Sequence, residues 1–411
     1  MAAKQTSRRD FLRILGAGTC GALIHSAFMP HQSMLAYGSP MNAAALGPLP
    51  VMIVVNMAGG CSLNISPLYA GAYRDKNPTI SYGPENSLPL NSSQGLHPSL
   101  TAFNAAFGEG KLAVINMVGY PNPNRSHDES TEIWFRGARD GAALGGWGAR
   151  MTAQLGSTFG GISLAGSNML IQGDINPPRA LGDLDNFGEY DFWGTNNSTW
   201  LREARTNMRI ESNMSGNESQ NFVRANMDKL DSSLETVKAA TQANPPGTFP
   251  NTNFGGMCKD AAKLVGATSL GVQFIFLELG GFDTHSGERQ ALTNRLTELN
   301  GGINALIASL KTMGRYNSTT IVTMSEFGRT CGENGSQGTD HGHCNAMFVM
   351  GGAVNGGIKT PAPTVAEISY DYLKDYHVHF AQPFREIVAA MGLNPNAIFP
   401  PGSSSNALGL F

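Results

Sequence analysis

Five short, unbroken apolar runs punctuate a chain that is otherwise polar and rich in glycine. They are "PVMIVVNMAGG" (50–60), "KLAVINMVG" (111–119), "GVQFIFLELGG" (271–281), "STTIVTMSEFG" (318–328) and "AMFVMGG" (346–352). Continuous β-branched and aromatic residues closed by glycine predict strands covered on both faces, the habit of parallel sheets. Between the third and fourth runs lies "GERQALTNRLTELNGGINALIASLKTMG". Its Leu292, Leu296, Leu299, Ile303, Leu306, Ile307 and Leu310 recur by threes and fours, which predicts a long helix packed on the sheet. Strand, helix, strand is a βαβ unit with parallel strands and a right-handed crossover. The expected fold class is α/β, a central, mostly parallel sheet flanked by helices.

Residues 174–256 break this rhythm. They are rich in Asn, Ser, Gly and Pro, with one polar helix expected within 221–241 ahead of Pro245-Pro246. This stretch reads as an insertion or cap over a single domain spanning 50–411. Residues 37–49 form a Gly/Pro/Ala linker.

Composition supports a folded, loop-rich protein: 411 residues with 41% hydrophobic, only 14% charged and 50 glycines. The N-terminus carries a sharper signal. "TSRRDFLRILGAGTCGALIHSAF" sets Arg8-Arg9 ahead of a weakly apolar stretch, the pattern of a twin-arginine export signal over 1–36. An amphipathic first helix is the competing reading. Export by the twin-arginine machinery implies a periplasmic or otherwise exported location. Without 1–36 the chain carries 24 basic and 30 acidic residues, a net −6, with no basic stripe to engage nucleic acid. Beyond the signal no stretch has 18 consecutive apolar residues, so no membrane span is expected. An exported chain meets an oxidising compartment, so a disulfide between Cys331 and Cys344 is expected, leaving Cys61 to pair with Cys258.

Ligands of open parallel sheets bind beyond the carboxyl ends of the strands. That rule gathers one set of polar groups. The first strand ends at Gly59-Gly60-Cys61-Ser62, the second leads to Arg125 and His127, and the third to Asp283 and His285. The fourth leads to Glu326 and Arg329, and "GTDHGHCN" (338–345) adds Asp340, His341 and His343. Carboxylates mixed with imidazoles suit a divalent cation, so Asp283, His285, Asp340, His341, Glu326 and His343 are candidate metal ligands. Each has a bland alternative. Asp283 can cap the helix starting near Gly287, His285 and His341 can satisfy buried carbonyls, Asp340 can cap a helix, Glu326 can pair with Arg329, and His343 can simply face solvent. Ser62 or Cys61 stands where a nucleophile would, Arg125 and Arg329 where a clamp for an oxyanion would, and His127 where a general acid would.

The order of "VVNMAGG", "NRSHDESTEIWFRG", "GGFDTHSGERQALTNRL", "TMSEFGRT" and "GTDHG…FVMGG" resembles the exported bacterial family catalogued as domain of unknown function 1501. That family in turn resembles the alkaline phosphatase and sulfatase superfamily, whose members hold one or two divalent metals at the carboxyl edge of a sheet. The resemblance implies Asp283, His285, Asp340 and His341 as metal ligands, and zinc, manganese or calcium as the cofactor. Phe327 departs from an Asp-His pair found in the superfamily. Cys61-Ser62-Leu63-Asn64-Ile65 lacks the C-x-P-x-R of formylglycine sulfatases. The expected function is an exported, metal-dependent hydrolase of phosphate or sulfate esters, acting on an anionic small-molecule or envelope substrate. The alternative is an inactive, metal-stabilised binding or structural protein of the cell envelope.

Overall fold

Strand β1 (Val51–Ala58) explains the architecture in miniature. Val51, Ile53, Val55 and Met57 enter one apolar core while Met52 and Val54 enter another, so both faces are covered. The computed structural model describes residues 48–139, 145–173, 178–182, 184 and 236–411. The expected export signal, most of the linker and residues 185–235 of the expected insertion lie outside them.

After β1 come β2 (Leu88–Pro89), β3 (Gly95–Leu96), β4 (Leu112–Gly119), β5 (Gly161–Ser163) and β6 (Arg179–Ala180). They are followed by β7 (Phe274–Gly280), β8 (Thr319–Met324), β9 (Asn345–Gly351), β10 (Gly357–Ile358) and β11 (Val378–His379). Apart from the β2–β3 hairpin these build one nine-stranded sheet in the order β10-β4-β9-β8-β1-β7-β5-β6, with β11 also on β4. Every pairing is parallel except the two made by β9. The fold is therefore α/β with a mostly parallel sheet. All five apolar runs are strands; the short edge strands carry too few residues for a pattern to reveal them.

Two placements go beyond the sequence reading. β7 and β8 are parallel, but β1 lies between them, pairing Val54 with Phe276 on one side and Val322 on the other. The most uniformly apolar strand takes the centre, where its edges are hydrogen-bonded and its faces covered. β9 runs antiparallel, so the connection 325–344 starts and ends at the same edge of the sheet.

Helices α1 (Gly71–Lys76), α2 (Thr101–Gly108), α3 (His127–Arg136) and α4 (Trp147–Leu155) precede α5 (Asn253–Gly266) and α6 (Glu288–Thr312). α7 (Val365–Ile368), α8 (Ala381–Ala390) and α9 (Pro395–Ile398) follow, and the described residues 236–241 are also helical. α2, α5 and α6 cover one face, and all seven apolar positions singled out in α6 are buried in that core. α3, α4, α8 and α9 cover the other through Trp134, Trp147, Phe384 and Ile398. The described parts of 174–256 join the first core: Leu181, Leu184 and Val237 are buried in it. No helix among the described residues is long and apolar enough to cross a membrane.

The end of β1 is where the loops after β7 and β8 meet. Gly59 donates its N–H to Glu326 Oε1 at 2.8 Å and accepts from Arg329 at 3.2 Å. Its φ is +125°, and a Cβ there would lie 2.3 Å from the backbone nitrogen of Asp283. Gly59→Ala is expected to destabilise the fold by at least about 1–3 kcal/mol, read as a lower denaturant midpoint.

Candidate metal centre

Four side chains from three segments meet at the carboxyl edge. Asp283 leaves β7 just after Gly280, His285 follows two residues later, His127 opens α3 after β4, and His341 precedes β9. Asp283 Oδ1 is 3.0 Å from His285 Nε2, 3.1 Å from His341 Nε2 and 3.5 Å from His127 Nε2. The Nε2 atoms of His285 and His341 are themselves 3.0 Å apart.

Proton bookkeeping shows what these atoms offer. His127 Nδ1 is 2.7 Å from Glu326 Oε1, His285 Nδ1 is 2.9 Å from Asp340 Oδ1, and His341 Nδ1 is 2.8 Å from the Arg125 carbonyl. Each of those oxygens only accepts, so each neutral ring carries its proton on Nδ1 and turns a lone pair on Nε2 toward Asp283. Outer acceptors that fix the tautomer in this way are the usual companions of metal-binding imidazoles. Three lone pairs and a carboxylate oxygen repel one another unless something positive lies among them. Buried His127 Nε2 has no hydrogen-bond partner. Around an ion with bonds of about 2.1 Å, ligand atoms lie about 3.0–3.4 Å apart, close to the 3.0, 3.1 and 3.5 Å found around Asp283 Oδ1, and the ligand atoms of His127, Asp283 and His341 all lie within 4.8 Å of one another. The residues fit a divalent cation.

Arg329 supplies the one proton donor that touches this cluster. Its guanidinium is fully buried and donates to Asp283 Oδ1 at 2.5 Å, to the Gly59 carbonyl, and to the hydroxyl and carbonyl of Thr339. Burial raises the Asp283 pKa, but the hydrogen bond and charge of Arg329 lead the effects that outweigh it and hold the carboxyl below its ordinary value. The bond from His285 does most to hold Asp340 low, against a smaller opposing effect of burial.

Beneath the cluster sits Glu288, a buried carboxylate that the sequence reading did not single out. It accepts from Ser62 Oγ at 2.5 Å, Asn64 Nδ2 at 3.1 Å, Thr284 Oγ1 at 3.1 Å and the Thr339 hydroxyl. The residue thereby ties the end of β1, the start of α6 and the 329–344 segment together. The last two also run side by side, with Thr339 N–H on the Thr284 carbonyl at 3.0 Å. Gly338 permits this, since a Cβ there would lie 2.2 Å from the backbone of His285.

Several expectations change in this setting. His343 is apart from the cluster: it is buried, accepts from Tyr120 N–H at 3.0 Å and donates to the Lys374 carbonyl at 3.0 Å. Burial lowers its pKa and both ring nitrogens serve the backbone, so it neither ligates nor faces solvent. Glu326 and Asp340 accept from the outer Nδ1 atoms of His127 and His285 instead of facing the centre of the cluster. Arg329 pairs with Asp283 rather than Glu326, and its engaged guanidinium is unsuited to clamping a substrate. His127 turns Nε2 inward, the position of a ligand rather than a general acid. Asp283 does not cap α6, whose N-terminal Gly287 has no side-chain cap. Ser62 Oγ bonds Glu288, and burial pushes the Cys61 thiol far up, with Glu326 and Glu288 adding to the shift, so neither presents a ready nucleophile. The four cysteines of the described residues are free and buried, and neither expected disulfide is present. Phe327 is fully buried with its ring 4.9 Å from that of His127 and 4.8 Å from that of His341. Arg125 is exposed at the rim.

The chain belongs to the family described as "Protein of unknown function (DUF1501)", whose model matches residues 110–405. That span contains all four converging residues. No curated protein matches the chain. Among solved structures, the crystal structure of Ps i-CgsB in complex with k-i-k-neocarrahexaose is 12% identical with a TM-score of 0.36, covering 85% of this chain and 78% of that one. The crystal structure of Ps i-CgsB alone is 11% identical with a TM-score of 0.37 and the same coverage. Superpositions this loose carry no argument about activity.

If the cluster holds a divalent cation, Asp340→Asn and Glu326→Gln are expected to weaken the binding of added zinc by about 10–100-fold while leaving the fold intact. His343→Gln should instead lower thermal stability and leave zinc affinity within about threefold, since it is outside the cluster; titration with a chromogenic chelator separates the two outcomes.

Proposed function

We propose that this protein is an exported, metal-dependent hydrolase of anionic esters, phosphate or sulfate. The observation that carries the reading is the convergence of the His127, His285 and His341 lone pairs on Asp283 Oδ1. Three imidazoles and one carboxylate favour zinc or manganese over calcium, which prefers an all-oxygen shell. A bound divalent cation supplies polarisation of an ester oxygen and a more acidic water. The chain's own residues do the rest: Glu326, Asp340 and the Arg125 carbonyl hold the three Nδ1 protons outward, and Arg329 fixes the Asp283 carboxylate. Because Ser62 and Cys61 are engaged or buried, the attacking oxygen in this reading comes from water rather than from a side chain. Export rests on Arg8-Arg9 and the apolar stretch that follows them.

That same withdrawal of Ser62 and Cys61 favours a second reading, a metal-stabilised binding protein of the cell envelope. Elemental analysis of the purified chain with aryl-phosphate and aryl-sulfate assays separates the two. The hydrolase predicts bound metal, turnover lost on chelation and restored by zinc or manganese, and a loss of more than about 100-fold in Asp283→Ala and His341→Ala. Metal retained with no turnover on either ester supports the binder.

A further inference from the structure

With Arg329 locked inside the fold, Arg125 offers an exposed positive side chain beside the cluster, its backbone bonded to His341. Three facts define its setting. Its carbonyl accepts from His341 Nδ1, so its backbone is anchored to a ligand histidine. Its guanidinium lies 4.9 Å above the ring centroid of Tyr372, cation–π distance. It is exposed and forms no ion pair among the described residues.

Tyr372 is placed just as deliberately. It pairs across an isolated antiparallel bridge with Thr330, and Thr330 bonds Asp340 twice, through its own N–H at 2.8 Å and by accepting the Asp340 N–H at 2.9 Å. The neighbouring Asp371 carbonyl accepts from Cys331 N–H at 2.6 Å. The tyrosine is therefore strapped to the segment that carries Asp340 and His341, while the arginine hangs from the other side of His341. Ring and guanidinium meet across the rim.

An unpaired guanidinium ordinarily sweeps a wide volume; stacked on a ring it keeps its planar fork in one orientation with its N–H groups free along the edge. Such a fork matches two oxygens of a tetrahedral oxyanion. We propose that Arg125, seated on Tyr372, is the oxyanion-recognising arm of the centre, contacting the non-reacting oxygens of a phosphate or sulfate group, with Tyr372 as its positioning residue. The inference rests on the ester-hydrolase reading and adds to it the residues that select for an anion.

The test uses the full zinc-loaded chain and calorimetric titration with inorganic phosphate and, separately, inorganic sulfate. Arg125→Gln keeps the backbone carbonyl that holds His341, so metal content should be unchanged while anion binding weakens by about tenfold or more. Tyr372→Leu should weaken it by about two- to fivefold, and Tyr372→Phe, which keeps the ring, should bind like the parent. The stronger of the two titrants identifies the ester class. Parental anion affinity in Arg125→Gln and Tyr372→Leu with metal intact would overturn the arm alone. Equal weakening in Tyr372→Phe and Tyr372→Leu would overturn the stacking role. No binding of either anion by the zinc-loaded parent would instead remove the ester reading on which the arm depends.

Discussion

Electron pairs aimed at one another are unfavourable, and at the carboxyl edge of this sheet three imidazole lone pairs are aimed at the same carboxylate oxygen. Everything around Asp283 serves to maintain that arrangement. Glu326, Asp340 and the Arg125 carbonyl take the Nδ1 protons, and Arg329 holds the carboxylate from the side away from solvent. The geometry suits a divalent cation, since His127, Asp283 and His341 offer ligand atoms within 4.8 Å of one another.

The support is layered. Under the imidazoles, Phe327 lies within 5 Å of two rings and excludes water from beneath them. Under that, Glu288 collects donors from three segments, so the loops cannot shift independently. Buried carboxylates and guanidinium groups are costly unless every polar atom is partnered, and Glu288 and Arg329 meet that condition with hydrogen bonds to distant segments. Their removal would expose a charge, which is why they read as scaffold rather than as chemistry.

The direction of β9 decides how the edge is furnished. Had the chain crossed over to enter β9 in parallel, residues 325–344 would have had to travel to the opposite end of the sheet. Because β9 is antiparallel, the whole segment stays at the carboxyl edge and brings Arg329, Thr339, Asp340 and His341 to the ends of β1 and β7.

Much of this was readable from residues alone. Buried strands show themselves as unbroken apolar runs because both faces need covering, and α6 shows its 3.6-residue period over seven positions. The rule that ligands lie beyond strand ends placed Asp283, His285, His341 and His127 at one edge, and the structure brings these four side chains together there. What residue types could not say was which nitrogen of each ring turns where. His343 and His341 are two residues apart in the same loop, yet one turns its ring nitrogens to the Tyr120 and Lys374 backbone and the other joins the cluster. Glu326 and Asp340 have ligand chemistry but stand behind the ligands, and Ser62 has a nucleophile's address but a buried partner. Periodicity and strand ends are local properties, written along the chain. The roles within the cluster depend on distances of a few tenths of an ångström between segments 55 to 216 residues apart, and only the packed sheet sets those.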